Sequence, residues 1–141
     1  IHTLWFEAHY MYRKKLASFA EQFAPVKVKF RCGVETFDTA LREAWKKGIP
    51  SSVSVQDIAQ HFQGICLLCC TQGETKEHIL KDIELAKAHF EYFSVNVFCD
   101  NHTPIKQDKE LASWFAKEVY PMIKDDPRIE VLMENTDLGV G

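Results

Sequence analysis

A chain of 141 residues that is 46% apolar and 12% aromatic can bury one sizeable core, which excludes a disordered chain and fits a single domain spanning 1–141. The formal net charge of −3, with Lys and Arg scattered rather than blocked, argues against a nucleic-acid partner. No apolar run reaches the roughly 18 residues of a membrane span, and the opening residues lack the basic start and cleavage site of a signal peptide, so a cytoplasmic protein with no membrane partner is expected.

Residues 1–6 are aromatic and apolar, as a strand requires, and the chain opens in this run on Ile1 without an initiator Met, which reads as a piece of something longer. Tyr12, Leu16, Phe19 and Phe23 then fall at helical spacing. Pro25 introduces a strand over 26–31 in which Val26, Val28 and Phe30 alternate with Lys27, Lys29 and Arg31. Phe37, Leu41, Ala44 and Trp45 mark a short helix that stops at Gly48 and Pro50. Ser54 with Asp57 resembles a capping box for a small helix running to Phe62.

The continuous apolar run 65–70 predicts a strand covered on both faces. A helix follows over about 75–90, with Ile79, Ile83 and Ala86 on one stripe, and then a strand over 94–99 and a polar loop at 100–104. Leu111, Trp114, Phe115, Val119 and Met122 form the last helix face, which Pro121 kinks or ends. A strand over 128–133 leads to Glu134, Asn135 and Asp137, a polar strand end or simply a turn. The order βαβαβαβαβ implies an α/β fold with a parallel sheet.

Lys27, Lys29 and Arg31 decide what kind of sheet. Either they line the wet interior of a barrel or half-barrel, or they form the solvated face of an edge strand. Ligands of parallel α/β folds sit at the carboxyl ends of the strands. Two successive strand-to-helix turns present acids there, Arg31-Cys32-Gly33-Val34-Glu35-Thr36-Phe37-Asp38 and Cys69-Cys70-Thr71-Gln72-Gly73-Glu74-Thr75. Glu35 and Glu74 also suit the positive end of a helix dipole, and Asn96 and Asn101 also suit a loop.

Cysteines at 32, 66, 69, 70 and 99, an odd number and mostly within strands, fit reduced thiols. Alternation places Cys66 and Cys70 on one face and Cys69 on the other. The six histidines have no two-ligand spacing on a helix face, so no metal site is expected.

The first turn, together with Gln72-Gly73-Glu74-Thr75 and Val95-Asn96-Val97-Phe98 with Asn101 and Thr103, resembles the C-terminal half of a radical S-adenosylmethionine (radical SAM) domain. That resemblance implies half of a partial TIM barrel made of parallel βα repeats, strands three to six plus one more. It implies SAM as cofactor, with Glu35 on the ribose hydroxyls, Glu74 and Phe98 at the adenine and Arg31 on the carboxylate. Lys29, Asn96 and Asn101 would face a small-molecule substrate. Where the family's adenine motif has a glycine three residues before its acid, this chain has Thr71. The family's CxxxCxxC, which would hold a [4Fe-4S] cluster, is not in the chain, so a cluster would come only through a missing N-terminal half.

The resemblance therefore implies part of an enzyme that cleaves SAM to a 5'-deoxyadenosyl radical, inactive alone, with catalytic residues unassigned. The other reading is a non-redox barrel fragment binding a phosphate or sugar, or a degenerate scaffold. On either, open sheet edges predict pairing with the missing half or self-association.

Overall fold

The computed structural model describes residues 2–45 and 48–133. Ile1 and the polar group Glu134, Asn135 and Asp137 lie outside the described residues. Five strands, β1 (Thr3–Glu7), β2 (Lys27–Glu35), β3 (Gly64–Cys69), β4 (Tyr92–Val97) and β5 (Ile129–Leu132), form one sheet in chain order. Every neighbouring pair is parallel, so each connection carries helix. The sheet curls into a half-barrel, and side chains of β1 and β4 meet across its polar face.

One face is apolar because each strand alternates. Phe30, Cys32 and Val34 of β2, Ile65, Leu67 and Cys69 of β3, and Phe93, Val95 and Val97 of β4 are buried there. Ile79, Ile83 and Ala86 of α4 (Lys76–His89) join the same core. Thr75 starts α4 by accepting from the His78 amide at 3.2 Å. The first connection is a 3₁₀ stretch, Tyr10–Lys15, running into α1 (Leu16–Glu21), and α2 (Thr39–Ala44) begins at the Asp38 cap. The capping box expected at Ser54 and Asp57 is present at the start of α3 (Val55–Ala59).

Several boundaries differ from the sequence reading. β2 continues past Arg31 to Glu35, because Cys32 and Val34 keep alternating into the core. It lies between β1 and β3, which removes the edge-strand explanation for its charged face. β4 starts two residues earlier than expected and ends at Val97, leaving Phe98 and Cys99 in the following loop. Cys70 lies beyond β3 with φ of 69°, and its Sγ lies 3.6 Å from that of Cys69. The left-handed backbone overrides simple alternation, so Cys70 does not share a face with Cys66. Pro121 does not end its helix. α5 (Lys109–Trp114) widens into a π-helical stretch, Phe115–Val119, and continues as α6 (Tyr120–Ile123), with Pro121 in its first turn.

Candidate functional site

In a parallel ladder, registered partners point to the same face. The polar face therefore carries one row from Glu7, Arg31, Gly64 and Tyr92 and a second from Gly33, Cys66, Ser94 and Glu130. Leu68, Asn96 and Leu132 form a third, nearest the strand ends. These rows enclose a cavity of about 210 Å³ lined by Glu7, Arg31, Glu35, Cys66, Ser94, Asn96 and Glu130, with Leu67 and Leu132.

Among the described residues, the one cation lining the cavity is already engaged by acids. Arg31 Nη2 donates to Glu7 Oε1 at 2.7 Å, and Nη1 lies 3.9 Å from Glu130 Oε2. Tyr92 Oη donates to the same Glu130 oxygen at 2.6 Å, and burial with that carboxylate pushes the phenol pKa up to about 12. Burial likewise raises the Cys66 thiol above its ordinary value. Glu7, Glu35 and Glu130 outnumber Arg31, so the wall is acidic. Asn96 Oδ1 is buried and has no hydrogen-bond partner. A buried acceptor without a donor is uncommon, which makes Asn96 a candidate contact.

Glu35 occupies a strained backbone position. Its φ is 70°, and the Thr36 amide donates to the Val34 carbonyl at 2.9 Å, closing a positive-φ γ-turn around it. The ladder shifts register between Gly33 and Glu35, and a Cβ on Gly33 would lie 3.5 Å from Glu35 Oε1. The carboxylate thus folds back over the polar face of its own strand. On the helix side, Thr36 Oγ1 donates to Asp82 Oδ2 at 2.7 Å and the Phe37 amide to Asp82 Oδ1 at 3.0 Å. Asp38 caps α2 and lies 3.3 Å from His78 Nε2.

Of the residues singled out from the sequence, Arg31, Glu35 and Asn96 come together at the cavity. Lys29 lies nearer the amino end of β2, paired with Glu91 and 5.7 Å from the Trp5 ring centroid. Glu74 does not line the cavity. Its Oε1 accepts from both the amide and the hydroxyl of Thr71 at 2.9 Å, stapling the turn before α4, while its buried Oε2 has no partner. Burial raises its pKa. Phe98 is buried and its amide donates to the Cys69 carbonyl at 2.9 Å. Asn101 Oδ1 accepts from the Thr103 amide at 2.8 Å and the Thr103 hydroxyl at 2.5 Å, shaping the loop. Glu7, Cys66, Ser94 and Glu130 went unpredicted, although each lies on the alternating polar face.

The thiols do not converge on a cluster. Cys66 faces the cavity, Cys32, Cys69 and Cys70 are buried outside it, and Cys99 lies in the loop after β4. Among the described residues, no group of three or more His, Cys, Asp or Glu is placed to hold a metal ion. Nor is any described helix long and apolar enough to cross a membrane.

A curled parallel half-barrel with a polar cavity bounded by its strand ends has the architecture of the radical SAM partial barrel, and the chain resembles the C-terminal half of that domain in fold as well as in motifs. It is similar to a queuine lyase from Clostridium spiroforme, solved bound to SAM and queuine, at 36% identity and a TM-score of 0.90. The match covers 100% of this chain and 60% of that one, so this chain spans about three fifths of the solved chain's length. No family model matches the chain, and comparison with curated proteins gave no match.

Proposed function

We propose that this chain forms the SAM-facing and substrate-facing wall of a radical SAM enzyme that acts on a base of the queuine type. The observation carrying the reading is the whole-chain likeness, at 36% identity, to an enzyme solved with both molecules bound. When bound, SAM supplies on reductive cleavage a carbon radical that removes a hydrogen atom from substrate. The electron for that cleavage would be supplied by a [4Fe-4S] cluster held by residues outside this chain, whose own cysteines do not fit one.

The chain's residues bind and orient. Glu35 accepts from the ribose hydroxyls, as a carboxylate with two oxygens suits a vicinal diol. Asn96 supplies its open acceptor to a donor group of cofactor or substrate. Queuine carries a secondary amine that is protonated near neutral pH, and an acidic wall of Glu7, Glu35 and Glu130 favours such a cation. The same excess of acid weighs against a phosphate ligand. The outer strands β1 and β5 pair with further strands of the complete protein, which is proposed to work in the cytoplasm.

Isothermal titration with SAM, queuine and simple phosphosugars tests the reading. Binding of SAM, weakened in Glu35→Gln, is expected. Binding of phosphosugars alone would replace it with the non-redox alternative, and binding of none would leave a scaffold.

A further inference from the structure

We propose that Asp82 is a positioning residue for the cavity, gripping Thr36 and Phe37 from the helix side of the sheet and so keeping Glu35 turned toward the polar face. A non-glycine residue in a positive-φ turn sits in an unfavourable conformation, and it persists only where the surroundings over-determine it. At Glu35 the surroundings are specific. Asp82 Oδ2 takes the Thr36 hydroxyl and Oδ1 takes the Phe37 amide, so both carboxylate oxygens hold the two residues that follow the turn. Thr36 passes the constraint on, accepting from the Asp38 amide at 3.0 Å.

The position of Asp82 is otherwise costly. It is buried on the Ile79, Ile83 and Ala86 face of α4, where an apolar residue would pack without desolvating a charge. Burial is the largest influence on its carboxyl, which is pushed up to about 6 against the opposing hydrogen bonds from Thr36 and Phe37. Among the described residues, Asp38 before α2, Arg42 within it, Cys69 at the end of β3, Glu74 in the turn before α4 and His78 on α4 act on this neighbourhood, and Lys81 lines the same cleft as Asp82. Protonating Asp82 removes an acceptor from the grip, so the Glu35 turn is coupled to pH near 6.

The consequence for SAM rests on the proposed function; the grip on Glu35 does not. Wild type, Asp82→Asn and Asp82→Ala are compared by SAM titration across pH 6 and by NMR of the Phe37 amide and the Glu35 carboxyl carbon. Asparagine keeps an acceptor for Phe37 and has no charge to lose. Wild type should show the Phe37 and Glu35 signals moving with a midpoint near 6, and Asp82→Asn should abolish that step. Asp82→Ala should shift the Glu35 signal and weaken SAM binding about tenfold, with Asp82→Asn recovering most of the loss. An unchanged Glu35 signal in Asp82→Ala, or a pH step that survives in Asp82→Asn, would overturn the proposal. If Asp82→Ala is unfolded by circular dichroism, the persistence or loss of the step in Asp82→Asn decides. If wild type binds no SAM, the proposed function fails while the NMR signals still decide the role of Asp82.

Discussion

Trp5 on β1 and Tyr92 on β4 bring their ring centroids within 5.6 Å although two strands lie between them. In a flat sheet these strands would stand roughly 14 Å apart, so the contact needs both long side chains and a curled sheet. Gly64 makes the contact possible. A Cβ there would meet the Tyr92 carbonyl oxygen at 2.8 Å and the Trp5 ring at 3.1 Å. Gly64→Ala should therefore destabilise the protein by about 1–3 kcal/mol, through overpacking against backbone that has no rotamer to change. Urea unfolding with tryptophan fluorescence measures it, and an equal or higher midpoint would refute the role given to Gly64.

The Tyr92–Glu130 hydrogen bond gives a second expectation. Burial, followed by the Glu130 carboxylate, holds the phenol pKa at about 12. Glu130→Gln removes the charge while leaving the burial, so the Tyr92 ring carbon should titrate at lower pH in the variant by NMR. An unshifted midpoint would place Glu130 away from the phenol in solution.

Asp82 makes stability depend on pH in a definite sense. Its folded pKa of about 6 lies above the ordinary value of 3.8, so the folded state binds this proton more tightly. The contribution is fully present below 3.8 and lost as pH rises through 6, amounting to about 3 kcal/mol. Asp82→Asn should lack it. The stability of the variant relative to wild type, from urea unfolding, should rise between acid and neutral pH, and a constant difference would contradict the buried carboxyl.

The order of the elements was legible because each strand alternates or is wholly apolar and each helix carries a stripe such as Ile79, Ile83 and Ala86. Glu35 could be singled out because it stands near the end of such an alternation. What the chain did not reveal was register. Glu7 and Glu130 bracket Arg31 only once β1, β2, β4 and β5 are aligned, and without them Arg31 reads as a free cation for an anionic ligand. Glu74 was ambiguous for a local reason: a Thr-x-x-Glu staple and a ligand-facing acid look the same in sequence. Asp82 did leave a signal, an acid set among the apolar positions of α4, on a helix rather than at a strand end.

Cys66 offers a chemical probe of the cavity. Its thiol is half-buried on the cavity wall with a raised pKa, whereas Cys32, Cys69 and Cys70 are buried in the core. Alkylation of the native protein, followed by peptide mass mapping, should modify Cys66 slowly, faster at alkaline pH, and more slowly again with SAM present. Modification of Cys66 that is indifferent to SAM would place the cofactor elsewhere.

The most direct measurement is calorimetric titration of the protein with SAM, alongside Glu35→Gln and Lys29→Gln. Binding weakened about tenfold by Glu35→Gln and unaltered by Lys29→Gln is the predicted result, since only the first of these side chains lines the cavity. Undetectable SAM binding, or equal affinity in Glu35→Gln and wild type, would contradict it.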